Sequence, residues 1–264
     1  MGKLLSRCMT SMLMIGCVLP MERALGQESI ALAVPSFTSE SGALWQFSGD
    51  AVVKNGRLRL TRDRYNLNGA GIYHTPQNLD DTRSFSAYFA FRIWHPSGST
   101  ERGADGLAFV VQNEVTSMSD EGKDMGYRGA GQSLNIEFDT FENGGFKDPN
   151  NNHVGINVNG DAKSLAAAKA PFIMNDGNIY HAWVDYDGSQ HLLQIRLSAT
   201  AQRPEEPILS YAINLEEQLN SAVFVGFTAA TGGCRQQHEV QSFFFHNQSL
   251  AGGIDTSTTQ YSME

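Results

Sequence analysis

The chain has 264 residues, 41% of them hydrophobic and 10% aromatic, which is enough for one sizeable core. All-β sandwiches of about 200–250 residues commonly fold as a single domain, so this length does not require two. The formal charge of −9 argues against a nucleic-acid partner, which needs a basic face, and it is compatible with neutral ligands and divalent cations.

Residues 1–26 read as a secretory leader. Lys3 and Arg7 supply a positive start, Met12 to Leu19 an apolar run, and Ala24-Leu25-Gly26 a small-residue cleavage region. The run is too short to span a bilayer, which takes about 20 apolar residues, and no other segment could do so. The chain is therefore expected to be secreted. The alternative is a lipid anchor at Cys17, which follows Met14-Ile15-Gly16. Removal of the leader leaves a net charge of about −11 and Cys234 as the last cysteine, so no internal disulfide can form.

Beyond the leader the chain alternates in short apolar stretches. In order these are Arg57–Thr61, Phe85–Ile93, Leu107–Gln112, Leu134–Thr140, Val154–Val158, His181–Tyr186, Leu192–Ser198, Val223–Thr228 and Val240–His246. Their length and period of two predict strands. Turn signals separate them at Lys54-Asn55-Gly56-Arg57, Asn175-Asp176-Gly177 and Tyr186-Asp187-Gly188-Ser189. Alanine-rich Ser164–Ala170 is expected to form two helical turns before Pro171, and Leu215–Asn220 one short turn. Residues 249–264 are polar and small, and are expected to form a loose tail. Many short strands without interposed helices predict an all-β antiparallel sandwich or jelly roll over residues 27–248.

The densest polar constellation is Ile136-Glu137-Phe138-Asp139-Thr140-Phe141-Glu142-Asn143, followed by Asp148-Pro149 and His153. On a strand Glu137, Asp139 and Phe141 share one face, while Ile136 and Phe138 share the core face. An Asn- and Gly-rich loop then allows Asn143, Asp148 and His153 to fold back on the two carboxylates. Oxygen donors of this kind suit Ca²⁺, and an imidazole among carboxylates suits a transition ion such as Mn²⁺. Residue chemistry alone leaves two readings open, a metal centre or carboxylates that face solvent.

The spacing of Glu137, Asp139, Phe141, Asn143, Asp148 and His153 resembles the metal-binding signature of the legume-type (L-type) lectins. Further segments agree in order: Gly103-Ala104-Asp105-Gly106-Leu107-Ala108-Phe109, Val184-Asp185-Tyr186-Asp187-Gly188 and Val225-Gly226-Phe227-Thr228-Ala229-Ala230-Thr231-Gly232. The resemblance covers about residues 30–248. It implies a legume-lectin-like (concanavalin A-like) jelly-roll β-sandwich that binds glycans. Glu137, Asp139, Asp148 and His153 would hold Mn²⁺ or another transition ion. Asp139, Asn143, Asp148 and the Phe141 carbonyl would hold Ca²⁺. Asp105 would accept hydrogen bonds from two sugar hydroxyls, Asn143 would donate one, and Phe141 would offer an apolar face. The backbone of Gly233 and Cys234 would line the last loop. The family's other loop glycine falls at Gly122, with Lys123 beside it as the alternative. A homodimer formed through sheet edges is a further expectation from the family.

Two other classes compete with this reading. A glycoside hydrolase on a similar sandwich needs two glutamates on one strand face, about 5–5.5 Å apart. The second place is Phe141 here, and Glu142 is out of phase, so catalysis is not expected. An adhesion or interaction module using the same fold would bind through the sandwich face instead.

Overall fold

The computed structural model describes residues 31–95, 103–115, 122–146 and 148–255. The leader and Cys17 lie outside these residues. Among them no helix is long and apolar enough to cross a membrane.

The strands follow the alternating apolar pattern. In chain order they are β1 (Leu32–Val34), β2 (Trp45–Gly49), β3 (Val52–Lys54), β4 (Arg57–Thr61), β5 (Asn68–Tyr73), β6 (Gln77–Asn78), β7 (Phe85–Trp94) and β8 (Gly106–Gln112). Then come β9 (Ser133–Asp139), β10 (His153–Val158), β11 (Ala166–Lys169), β12 (Ile179–Asp187), β13 (Leu192–Ser198), β14 (Leu209–Ala212), β15 (Ala222–Ala230) and β16 (Gln237–His246). They form two antiparallel sheets. One runs β14-β13-β12-β7-β16-β4-β3, with β1 also on β16; the other runs β11-β10-β9-β8-β15-β5-β2, with β6 also on β15. This is the expected jelly-roll sandwich.

The core lies between the sheets. Phe85, Phe89, Phe91 and Ile93 of β7 face Leu107, Phe109, Ile136, Phe138 and Phe227 of the second sheet, all fully buried. Phe89 sits at its centre, with ring centroids 5.0–6.0 Å from Phe91, Phe109, Phe138 and Phe227. The second sheet is also covered on its outer face. There Met125 and Tyr127 pack on Ala70, Ile72, Ala108 and Val110. That covering loop brings Gly122 and Tyr127 over the sheet end that carries the acidic residues.

Two local expectations differ from what is observed and a third is close to it. Ser164–Ala170 is not helical: Ala166–Lys169 pairs with β10 as an edge strand. A two-turn helix gains little on its own in water, whereas the open edge of β10 offers backbone partners. Leu215–Glu217 forms a 3-10 turn capped by the Asn214 side chain, close to expectation. The segment after residue 248 is not loose as far as 255. Ile254 is buried with Tyr88, Trp183 and Phe244, and its carbonyl accepts from Trp183 Nε1 at 3.1 Å.

The turn at Asn55-Gly56 matches its sequence signal. Both residues have positive φ, 53° and 76°, as a two-residue hairpin with right-twisted strands requires.

Removing the central ring should cost the whole fold. Phe89→Ala is expected to lower unfolding free energy by about 3–5 kcal/mol, read by urea denaturation. A loss under about 1 kcal/mol would mean that the two sheets do not share this core.

Candidate functional site

Strand register assembles the acidic residues. β8, β9 and β10 are neighbours, with Gly106 opposite Asp139 and Asp139 opposite His153. Asp105 precedes β8, Asp139 ends β9 and His153 begins β10, so antiparallel pairing brings all three to one end of the sheet. The loop from 140 to 152 returns Asn143 and Asp148 to the same place. Glu137 lies one same-face step further in, opposite Gly155. A side chain at Gly155 would collide with the Glu137 carboxylate and the Ser164 hydroxyl, so glycine is what admits the carboxylate there.

His153 is the hub. Its Nε2 lies 3.5 Å from Glu137 Oε1, 3.9 Å from Asp148 Oδ1 and 4.0 Å from Asp139 Oδ2. Its Nδ1 is 2.7 Å from the Asn150 carbonyl, which holds the ring and points Nε2 at the acids. Each carboxylate is oriented in turn. Phe141 N donates to Asp139 Oδ1 at 2.6 Å, and Asn143 N donates to Asp148 Oδ2 at 2.6 Å. The other oxygen of each aspartate is left facing the imidazole. Glu137 accepts from Tyr127 Oη at 2.8 Å, Ser164 Oγ at 2.6 Å and Asn157 Nδ2 at 3.1 Å.

One donor atom from each of Asp139, Asp148 and His153 lies within 4.8 Å of the others. An ion held at about 2.3–2.6 Å from each ligand fits that spread. His153 Nε2 and Asn143 Oδ1 are buried without a hydrogen-bond partner. Buried polar atoms are normally satisfied, so these two atoms and the donor chemistry both fit a cation. Burial, with Glu137 beside it, pushes the Asp139 carboxyl well above its usual range. Asp148 is also raised by burial. Burial opposes charging His153, but the Glu137 and Asp148 carboxylates hold its pKa above the usual value.

Asp105 stands apart from this hub and is 5% exposed. The Ala104–Asp105 peptide is cis. Its backbone is anchored by Asp105 N to the Ala230 carbonyl at 3.1 Å, and by Thr140 N and Oγ1 to the Asp105 carbonyl at 2.8 and 2.9 Å. The Gly232 amide donates to its carboxylate, and its Oδ2 is buried without a partner. A Cβ at Gly122 would collide with that carboxylate and with the Gly232 backbone. Gly122 therefore lies beside the Asp105 carboxylate. Phe141 and Asn143 are half-buried at the rim, Gly233 is exposed and Cys234 is half-buried. Glu142 is exposed whereas Glu137 is buried, so Glu142 does not join Glu137 in the way a retaining hydrolase requires.

Comparison with known proteins agrees with the fold. The family model described as the legume lectin domain matches residues 30–260. This chain belongs to the legume lectin domain family. It is 34% identical over 222 residues to an L-type lectin-domain containing receptor kinase VIII.1 of Arabidopsis thaliana, covering 78% of this chain and 31% of the kinase. It is 32% identical over 216 residues to the lectin alpha chain of Lablab purpureus, covering 74% of each. The solved structure of lectin I from Ulex europaeus with the methyl glycoside of α-L-fucose superposes with a TM-score of 0.68 at 25% identity, covering 81% of this chain and 95% of that one. The chain spans about a third of the length of the receptor kinases that it matches.

Several residues of this lectin domain were not singled out by sequence reasoning. Tyr127, Asn157 and Ser164 fix Glu137, Gly232 touches Asp105, and Asp124 is 1% exposed and pairs with Arg128 at 3.2 Å. The Gly232-Gly233 pair was a visible signal for Gly232. Tyr127, Asn157 and Ser164 carry no spacing signal, because three separate segments supply them.

Burial, with the Asp124 charge, pushes the Asp105 carboxyl up from 3.8 to about 7. Between these values the folded chain holds a proton that the unfolded chain has lost. Stability from this group is thus fully present below pH 3.8 and is lost as pH rises through about 7. At 1.36 kcal/mol per pKa unit the loss is on the order of 4 kcal/mol. In chelated protein, Asp105→Asn is expected to raise the melting temperature at pH 8 and to flatten its fall between pH 4 and 8. Melting curves in EDTA test this, and a slope identical to that of the parent would count against it.

Proposed function

We propose that this chain is a secreted, non-catalytic lectin domain. Its monosaccharide site lies at the Asp105–Gly122–Gly232 junction, and Ca²⁺ and a transition ion, Mn²⁺ in the first instance, hold that site in shape. The observation that carries the reading is the Asp105 carboxylate. It is buried, raised in pKa and fixed through its backbone, yet one of its oxygens has no partner. A buried carboxylate oxygen without a partner would accept from a sugar hydroxyl that reaches it, and once the group is ionised such charge-assisted bonds are the stronger ones.

The metal ions act as scaffold in this proposal. Glu137, Asp139, Asp148 and His153 hold the transition ion. Asp139, Asp148, Asn143 and the Phe141 carbonyl hold Ca²⁺. A divalent cation would relieve the repulsion among these acids and lock the 140–152 loop, which carries Asn143 and Phe141. Asn143 then donates its amide hydrogen to a sugar hydroxyl, and Phe141 offers its ring to the C–H face of the sugar. The amides around Gly232, Gly233 and Cys234 close the far side. The fucoside bound by the Ulex europaeus lectin supports a glycan as the class of ligand.

A glycan array read with and without EDTA tests the proposal. Binding should vanish on chelation and return with Ca²⁺ and Mn²⁺ together. Asp105→Ala should weaken binding at least about 100-fold, given two charge-assisted hydrogen bonds at about 1.5–3 kcal/mol each. Binding that survives EDTA, or that Asp105→Ala leaves intact, would sink the reading. A partner held equally well by Asp105→Ala would point to the outer sheet face instead.

A further inference from the structure

At Gly232, two loops are stitched into one lip. The first, 62–67, follows β4; the second, 231–235, joins β15 to β16. Thr231 N donates to the Leu67 carbonyl at 2.7 Å, and Asn66 N donates to the Gly232 carbonyl at 3.3 Å. Leu67 N donates to Thr231 Oγ1 at 3.0 Å, and that hydroxyl donates to the Arg64 carbonyl at 2.7 Å. Through Gly232, whose amide reaches the Asp105 carboxylate, this lip is fixed to the proposed monosaccharide site.

The lip borders an open depression of about 440 Å³ lined by Asp63, Arg64, Tyr65 and Arg235. Tyr65 is 48% exposed, an unusual position for a large ring in this chain. It is also held in place. The Arg235 guanidinium lies 5.1 Å from its ring centroid. Arg235 is in turn held by Asp63, with Nε 3.9 Å from Oδ1 and Nη1 donating to the Asp63 carbonyl at 3.5 Å. Asp63 also lies 3.4 Å from His95 Nδ1. The Asp63 charge is thus directed at Arg235 and His95. Arg64 is exposed on the same lip, and among the described residues no ion pair involves its guanidinium. A ring whose orientation is already set loses little freedom when it takes a ligand on its open surface. An uncommitted guanidinium beside it matches a planar carboxylate or a sulfate.

We propose that the Asp63–Tyr65/Arg235 depression is a second sugar subsite. It takes the residue next to the one held at Asp105, in an oligosaccharide whose second residue carries an anionic group. The C–H face of that second ring packs on Tyr65, and its carboxylate or sulfate meets Arg64. The net charge of −9 disfavours acidic glycans over the surface as a whole, and Arg64 is a local exception on this lip. The inference rests on the reading of Asp105 as the primary site. In this proposal Arg64 and Tyr65 meet the ligand only beyond its first sugar, which separates their role from that of Asp105.

The test uses the full chain loaded with Ca²⁺ and Mn²⁺, on an array of matched glycans. Each common terminal monosaccharide is presented alone, extended by a neutral hexose, extended by a hexuronic acid, and extended by a sulfated hexose. The acidic extensions should bind about tenfold or more tighter than the monosaccharide alone, and the uronate and sulfate arms show which anion is preferred. Tyr65→Ala should lower affinity for every extended glycan while leaving the monosaccharides within about twofold. Arg64→Ala should abolish only the preference for acid. Extended glycans bound no better than the monosaccharide, or an acid preference that survives Arg64→Ala, overturn the subsite. Monosaccharide binding untouched in Asp105→Ala overturns the primary site instead, and a parent that binds no glycan overturns both.

Discussion

Like-charge crowding at one sheet end governs this molecule. Glu137, Asp139 and Asp148 converge on a single imidazole within about 4 Å, and both Glu137 and Asp139 are buried. Buried carboxylates cannot all be ionised side by side without a compensating positive charge. Backbone amides and the Tyr127, Ser164 and Asn157 side chains satisfy part of the need. The remainder is electrostatic: the raised pKa values of Asp139, Asp148 and His153 relieve it with protons, and the proposed divalent cation would relieve it instead. Proposed function and local stability are therefore coupled. The same acids that destabilise an ion-free fold would hold the ions that shape the ligand loops.

The aromatic core supplies the rigidity for this arrangement. A strand that buries Phe138 on one side presents Glu137 and Asp139 on the other. Sheet packing around Phe89 fixes the slope of β9, and the register with β8 and β10 carries that slope to Asp105 and His153. Met125 and Tyr127 cover the outer face and so exclude water from the Glu137 network. A shift of one residue in β9 would turn its acids into the core and its apolar residues outward, so the chemistry depends on the packing.

The strands with strict alternation were legible because their period is local. Arg57–Thr61 and Leu192–Ser198 have the same limits in sequence and structure. Ser164–Ala170 was misread because its fate depends on a neighbour: alanine tolerates either backbone, and the free edge of β10 decided between them. The short strands β1, β3 and β6 carry too few residues for periodicity to register. The segment around Ile254 looked like tail because its polar composition hides one apolar residue, which the outer face at Trp183 and Phe244 receives.

Of the candidate site, the sequence by itself supplied a candidate ligand set, made specific only by the resemblance to a family signature. Glu137, Asp139, Asn143, Asp148 and His153 lie within 17 consecutive residues, and strand alternation alone puts the first two on one face. Asp105 was visible only through its resemblance to a family segment. Tertiary structure decided everything that depends on distant segments meeting. It set Gly122 against Asp105, brought Gly232 to the same carboxylate, and tied Tyr127 and Ser164 to Glu137. It also joined the 62–67 turn to the 231–235 loop. Alternation reports which face a side chain takes, but the partner across the gap is chosen by sheet order and loop closure, which no local pattern encodes.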